Sequence, residues 1–175
     1  MFLFDLLFGK RRSAAPAQTA AARPAAAPTA PGTAIRHDPG LIAALKEDHK
    51  LLLEIFGSIQ AAAAAGDLHA VQKRLGQFRI VLQDHLLKEN VRLYVYLEHL
   101  LRGDATSHEL IHGFRHEMDA IGRAVVGFLD RYKSIAAEPR LAAKFVDDLA
   151  GIGEALAGRI RREEATLYPM YAPPR

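Results

Sequence analysis

The chain has 175 residues, half of them hydrophobic, and no cysteine. This length suits one ordinary core, and the lack of cysteine excludes disulfides, iron–sulfur clusters, thiolate zinc sites and covalently attached c-type haem, so that any metal would need His and carboxylate ligands. The net charge of +3 is unevenly spread, because residues 1–36 carry five basic residues and one acidic residue while the charges of the remainder nearly cancel. A nearly neutral folded part does not favour nucleic acid as a partner.

The first 37 residues divide into two segments. Residues 1–12, MFLFDLLFGKRR, place an apolar run ahead of three basic residues, whereas a secretory signal has its charge first and a longer apolar core. The run is too short to span a bilayer, so the segment is either a disordered tail or a docking segment for a protein groove or a membrane surface. Residues 13–37, rich in Ala and Pro, read as a disordered linker, and residues 10–37 should not pack stably on the rest. We expect a cytoplasmic protein, peripherally membrane-associated if residues 1–12 dock on lipid.

Residues 38–171 are predicted to be helical throughout. Asp38 and Asp67 are N-cap signals for the first two helices, and the spacing of Thr106 and Glu109 is that of a capping box for the third. The helices are expected to cover roughly residues 38–65, 67–102, 106–133 and 139–169. Because no stretch alternates with strand period and the connections are short, the sequence predicts an all-α, antiparallel up-down-up-down four-helix bundle.

Ionisable residues fall within the apolar faces of three of these helices. On a helical wheel of about 100° per residue, His49 lies at the centre of the first apolar face, His85 and Glu89 at the centre of the second, and Glu163 at the centre of the fourth, with Arg159 at its edge. A cluster of buried carboxylates needs a positive partner. A metal ion is such a partner, and His-x-x-x-Glu places two ligands on one helix face, one turn apart.

The third helix offers two alternatives for a ligand. His108, His112 and His116 follow each other at four-residue spacing and could form a ladder of ligands. The apolar stripe from Leu110 to Phe128, however, lies on nearly the opposite side of that helix. A regular helix would therefore turn Glu117 towards the site and the histidines towards solvent, whereas a helix irregularity would bring His112 and His116 inward. We favour Glu117.

These motifs resemble those of the hemerythrin-like (HHE cation-binding) domain family, and the resemblance covers residues 38–171. It is carried by His49 in KEDHKLL, by His85 and Glu89 in DHLLKEN, and by Glu163 in RIRREEATLYP. The resemblance implies an antiparallel four-helix bundle with a non-haem di-iron centre, in which two carboxylates bridge the irons and histidines complete each. With iron as the expected cofactor (one or two ions, manganese or zinc being alternatives), the candidate ligands are His49, His85, Glu89, Glu117 and Glu163.

The chain departs from that family at Arg159, where the family's fourth helix normally supplies a histidine. The departure is visible within the chain, because residues 85–97 (HLLKENVRLYVYL) and 159–171 (RIRREEATLYPMY) share Glu at the fifth position and Leu-Tyr at the ninth and tenth, but begin with His and Arg respectively. A guanidinium cannot coordinate a metal and can only pair with carboxylates. Arg159 therefore either replaces the second metal ion or weakens its binding, which puts reversible oxygen carriage in doubt.

Three functions remain open at this stage. The favoured one is a metal-binding protein, with iron as the expected metal, that acts in binding or sensing metal, oxygen or nitric oxide, with water or a diatomic ligand at the ion. The second is a redox enzyme that oxidises peroxide, nitric oxide or ferrous iron, which Tyr94 or Tyr168 close to the metal would favour. The third is a metal-free helical interaction module with a buried network of Arg159 and glutamates.

Overall fold

The computed structural model describes residues 28–174. Residues 1–12, for which a docking role is predicted, and most of the predicted linker lie outside the described residues. The described part is helical and contains no strand, apart from an isolated antiparallel bridge between Thr29 and Arg36. None of its helices is both long and apolar enough to cross a lipid bilayer. The predicted all-α fold is confirmed.

The first half of the bundle contains two long helices. Helix α1 spans Leu41–Ala64, and helix α2 spans Leu68–Lys88. Helix α2 continues without a break through a π-helical turn, Glu89–Tyr94, into the short helix α3, Val95–Leu100. Helices α2 and α3 together therefore form the second of the four predicted helices.

The second half repeats this plan. Helix α4 spans Ala105–Tyr132. A 3-10 turn, Pro139–Leu141, leads into helix α5, Ala142–Arg162. Helix α5 continues through a second π-helical turn, Glu163–Leu167, into a 3-10 turn, Tyr168–Met170. The fourth predicted helix is thus α5 with its two irregular turns.

Two of the helix starts differ from the prediction. Asp67 caps α2 as predicted, since its carboxylate accepts a backbone N–H of the first turn. Asp38 caps no helix, because its carboxylate accepts the N–H of Gly40 in a local turn and α1 begins at Leu41. Helix α4 is capped by Asp104 in place of the predicted Thr106–Glu109 box. Asp is as good an N-cap as Thr or better, so Asp104, two residues before Thr106, takes the cap.

Neighbouring helices run in opposite directions. Between α1 and α2, Asp48 meets Lys88 while Phe56, further along α1, meets Phe78, which comes earlier in α2. The same reversal is seen between the other neighbouring helices. The second and third helices of the bundle meet in the pairs Arg79–Asp130 and Glu98–Arg115, and the third and fourth in Arg131–Asp148 and Glu117–Arg162. The first and fourth meet in the pairs Phe56–Gly153 and His49–Glu163. The antiparallel arrangement places residues from the middle of all four helices at one level.

The core has two apolar clusters with a polar layer between them. The larger cluster includes Phe56 on α1 and Phe128 on α4, and the smaller one includes Leu45 on α1 and Leu167 near the end of the fourth helix. Along the first, second and fourth helices of the bundle, the inward polar residues come between these two clusters. The buried polar and charged residues of the described chain are His49, His85, Glu89, Arg159 and Glu163.

The end of the predicted linker packs on the bundle, contrary to expectation. Ala30 is fully buried, and the His37 ring stacks on Tyr171 with ring centroids 4.8 Å apart. The Asp38 N–H also donates a hydrogen bond to the Tyr171 hydroxyl at 2.9 Å. The expectation of no stable packing is therefore wrong for residues 28–37. It was based on the high content of Ala and Pro, and the contact is made by the ring of one residue, His37.

Candidate metal centre

Three ligand-type side chains meet in the polar layer. One ligand atom from each of His49, His85 and Glu163 lies within 4.8 Å of the other two, and all three residues are at most 3% exposed. They belong to α1, to α2 and to the second π-helical turn, so tertiary packing brings them together. Imidazole and carboxylate groups that converge from separate helices are the usual way in which a bundle holds a metal ion.

Glu89 lies beside this group, and only one of its two carboxyl oxygens has a hydrogen-bond partner among the described residues. Its Oε1 accepts a hydrogen bond from the Tyr168 hydroxyl at 3.0 Å, whereas Oε2 has no hydrogen-bond partner among the described residues and lies 3.8 Å from His85 Nε2. His85 Nδ1 also lacks a hydrogen-bond partner there, with Asp48 3.6 Å away. An unsatisfied buried polar atom costs roughly 1–3 kcal/mol. Two such atoms at one cluster of candidate ligands are consistent with a cation site, because a bound cation could be coordinated by these side chains.

Burial keeps Glu89 and His85 neutral in the metal-free protein. Burial, together with the negative charge of Glu163, raises the pKa of Glu89 to about 8. Burial, together with the positive charge of His49, lowers the pKa of His85 to about 4. Neither group therefore supplies charge to the other near neutral pH.

His49 and Glu163 instead stabilise each other's charged forms. Burial acts to lower the pKa of His49, but its hydrogen bonds to Glu163 and Glu164 outweigh burial and raise the pKa above its ordinary value. Burial acts to raise the pKa of Glu163, but the hydrogen bond from His49 and the charge of Arg159 outweigh it and lower the pKa. A metal ion that binds here would displace the proton of His49, since ligand imidazole must be neutral.

The orientation of the His49 ring is fixed from both sides. Its Nδ1 lies 2.8 Å from Glu164 Oε1, and its Nε2 lies 3.2 Å from Glu163 Oε2 and 3.1 Å from the Tyr168 hydroxyl. A carboxylate on the far nitrogen of a histidine holds the ring and increases its basicity, as at many metal sites. Sequence reasoning missed this role of Glu164, although an acidic residue directly after an inward glutamate was a usable signal.

Arg159 lies deeper than predicted, since it was expected at the edge of the apolar face of the fourth helix. Only 1% of the residue is exposed. Its Nε donates to Glu163 Oε1 at 2.5 Å, Nη1 donates to the Phe114 carbonyl at 3.0 Å and to Glu117 Oε2 at 3.2 Å, and Nη2 donates to the Tyr94 hydroxyl. The guanidinium is therefore a full member of the polar layer, on the side of Glu163 that faces α4.

Helix α4 places a glutamate paired with two arginines beside the site. The Glu117 side chain is 41% exposed, and its carboxylate is shared by Arg159 and Arg162. It is not part of the three-residue ligand group, so its role as a ligand stays a prediction. The apolar stripe of α4 turns the alternative ligands to solvent, as a regular helix requires: His108, His112 and His116 are all exposed.

Each of the two glutamates at the site begins a π-helical turn. Tyr94 and Tyr168 follow His85 and Arg159 by nine residues, which on a regular helix is a rotation of about 180° to the opposite face. Both tyrosines are nevertheless buried, at 0% and 3% exposure. The wide turns that start at Glu89 and Glu163 change the rotation of the helix, so that the tyrosines after them face the core. Such π-helical turns are frequent at functional sites. Here they bring a phenol to each half of the polar layer.

A cavity of about 30 Å³ adjoins the site. This volume suffices for about two water-sized molecules. Its wall combines site residues with apolar side chains of the larger cluster, among them His49, His85, Arg159, Glu163, Leu82, Met118 and Leu156. Only a very small ligand fits between the candidate ligands and the apolar core.

The comparison with protein families agrees with this geometry. The family model described as the hemerythrin HHE cation binding domain matches residues 40–171, which includes the whole bundle and all candidate ligands. Comparison with curated proteins and with solved structures found no match. Because the family model covers most of the chain, the resemblance noted in the motifs is confirmed, and the chain belongs to the hemerythrin HHE cation-binding domain family.

Proposed function

We propose that this protein binds a transition-metal ion through His49, His85, Glu89 and Glu163. The observation that carries the proposal is the convergence of three buried ligand atoms within 4.8 Å, next to two buried polar atoms that lack hydrogen-bond partners. Imidazole and carboxylate ligands suit iron, manganese and zinc. Iron is the metal that the family resemblance favours.

The neighbouring cavity supports a role in binding or sensing a small molecule. It is about 30 Å³ in volume and largely apolar, which favours a diatomic gas such as oxygen or nitric oxide, or a water molecule, over a larger substrate. When bound, iron would supply a coordination position for such a ligand. The protein's own part is to hold the ion with His49 and His85, to orient His49 through Glu164, and to keep bulk water out.

A redox enzyme is the second candidate, and Tyr168 favours it. The Tyr168 hydroxyl lies 3.0 Å from Glu89 Oε1 and 3.1 Å from His49 Nε2, so that a phenol touches two of the proposed ligands. Consumption of peroxide by the iron-loaded protein that is lost in Tyr168→Phe would favour this function. Binding of nitric oxide or oxygen without turnover would favour the sensor. A metal-free interaction module is the third candidate, favoured by the complete set of partners around Arg159.

Metal analysis tests the proposal directly. The full chain, purified from iron-supplemented cells, should contain iron and show an absorption band in the visible or near-ultraviolet that changes when nitric oxide is added. His49→Ala and His85→Ala should each abolish the band and most of the bound iron. The matched control is His112→Ala, because His112 is exposed on α4 and should be dispensable. A wild-type protein that stays metal-free at saturating ferrous iron would instead identify the interaction module.

A further inference from the structure

We infer that Arg159 is the second cation of this centre, so that the protein binds a single metal ion where a two-metal site would otherwise form. The inference rests on the proposed metal binding by His49, His85 and Glu163. It adds the stoichiometry of the site and assigns a role to the arginine.

Glu163 is placed as a bridge between two cations. Its Oε2 faces His49 Nε2 at 3.2 Å, on the side of the candidate ligands, and its Oε1 accepts the N–H of Arg159 Nε. A carboxylate that joins two metal ions offers one oxygen to each of them. Here one oxygen is directed to the proposed metal and the other to a guanidinium.

The guanidinium also occupies the oxygen atoms that a second ion would need. Besides Glu163, it takes Glu117 Oε2, the Phe114 carbonyl and the Tyr94 hydroxyl, and its Cζ lies 4.9 Å from the centroid of the Phe114 ring. These oxygen atoms are the kind of ligand that a divalent ion would use. A divalent ion could reach them only by displacing Arg159 or by lying beside its permanent positive charge.

The side of the site that holds Arg159 offers no substitute ligand. Among residues 28–174 the only buried histidines are His49 and His85, both on the other side of Glu163. The carboxylate of Glu117 is neutralised twice, by Arg159 through one oxygen and by Arg162 through the other. No uncompensated carboxylate is left there to attract an ion.

The stoichiometry of ferrous iron tests the inference. Full-length protein is incubated with excess ferrous iron in the absence of oxygen and desalted, and the iron per chain is measured by plasma emission spectroscopy. The wild type should bind about one ion, and Arg159→His should shift the ratio towards two because imidazole is a ligand. Arg159→Lys keeps a positive charge and should stay at one. The matched control is Arg162→His, whose arginine also contacts Glu117 but is half exposed, and it should stay at one.

The possible outcomes separate this inference from the proposed function. Two tightly bound ions in the wild type would overturn the inference and leave metal binding intact, and so would a folded Arg159→His variant that remains at one. No bound iron in the wild type would overturn the proposed function itself. Should Arg159→His fail to fold, Arg159→Lys decides, because its ammonium group keeps the positive charge beside Glu163 and offers no ligand. A folded Arg159→Lys variant that binds two ions would contradict us.

Discussion

Residues 85–97 and 159–171 are two versions of one structural unit. Each begins with an inward polar residue and continues one turn later with a buried glutamate that starts a π-helical turn. The tenth residue of each is a buried tyrosine that contacts the polar layer. The first residue differs, His85 in one version and Arg159 in the other. The antiparallel bundle brings both versions to the same level, where they share one polar layer.

The two glutamates have opposite properties, and the exchange of histidine for arginine contributes to the contrast. Glu89, next to a neutral imidazole, keeps an unpartnered oxygen and has a pKa raised by burial to about 8. Glu163 is equally buried, but His49 and Arg159 outweigh the effect of burial and lower its pKa. A neutral histidine supplies no positive charge, so its glutamate keeps a proton in the metal-free protein, whereas an arginine provides a cation from within the chain. The two halves of the site therefore neutralise a buried carboxylate in different ways, one with a proton and the other with a guanidinium.

The largest expected effect comes from removing the internal cation. Arg159→Met keeps most of the side-chain volume but leaves Glu163 with an unpaired buried oxygen and removes the donors to Tyr94 and to the Phe114 carbonyl. We expect the free energy of unfolding of the metal-free protein to fall by about 3–5 kcal/mol, as when one partner of a buried ion pair is removed. Urea unfolding followed by circular dichroism measures this change.

A matched substitution on the same helix provides the control. Arg162 contacts Glu117 but is half exposed, so Arg162→Met should cost no more than about 1 kcal/mol. Supplying ferrous iron should reduce the loss in Arg159→Met, because only in this variant is Glu163 Oε1 free to bind an ion that stabilises the native state. Equal losses for the two methionine variants would mean that the buried position of Arg159 contributes nothing special.

The sequence predicts most of the fold and the centre of the site, because both follow from helical periodicity. Inward His49, His85, Glu89 and Glu163 are readable on a wheel, since the apolar residues around them recur at helical spacing. The exposed histidines of α4 follow from the same rule. For these residues local sequence and tertiary structure agree.

The remaining features depend on contacts that a regular wheel does not contain. The π-helical turns bring Tyr94 and Tyr168 to the site, where a regular helix would turn them away from it, and the Tyr94 hydroxyl accepts a hydrogen bond from Arg159 in the other half of the bundle. Glu164 and Asp48 approach the histidines across helices, through packing that no single helix reveals. The exchange of His85 for Arg159 between the two halves was visible in the sequence, but the hydrogen-bond partners of Arg159 were not.

A smaller effect is expected at the position directly after the buried glutamate, where the two units also differ. The second unit has Glu164, which contacts His49 Nδ1 at 2.8 Å, whereas the first has Asn90 at the matching place. Glu164→Asn makes the units alike there and removes the carboxylate that orients His49. We expect the affinity for ferrous iron to fall by about 10- to 100-fold, as is typical when a residue that supports a ligand is lost. Anaerobic titration against a competing chelator measures it.

Lys46 offers the control for this substitution. Its ammonium group lies 3.9 Å from the other oxygen of Glu164 but does not touch His49, so Lys46→Ala should leave the iron affinity unchanged. An unchanged affinity in Glu164→Asn would show that His49 is oriented by Glu163 and Tyr168 alone. A loss of folding in either variant would appear in the circular dichroism spectrum before any titration.

The smallest expected effect is a pH dependence of the metal-free protein. The pKa of Glu89 rises from its ordinary 4.5 to about 8, so the native state keeps a proton that the unfolded chain has released, and stability falls as pH rises through this range. His85 acts oppositely below pH 6.5, because its pKa is lowered to about 4 and the unfolded chain binds the proton there. His49, with a raised pKa, adds to the fall above 6.5. The two trends oppose each other below pH 6.5, and only the fall remains above it.

We therefore expect the free energy of unfolding to decrease by about 1–2 kcal/mol between pH 6.5 and 8, measured by urea unfolding at a series of pH values in the presence of a chelator. Glu89→Gln should flatten this slope, because its neutral amide carries no titrating proton. Glu54→Gln is the matched control, since Glu54 is exposed on α1 and should leave the slope unchanged. Iron should remove or reverse the slope, because the ion takes the place of the protons on Glu89 and His49. A flat wild-type profile, or an equal slope in Glu89→Gln, would mean that Glu89 is charged in the metal-free protein, and the contrast with Glu163 would then be lost.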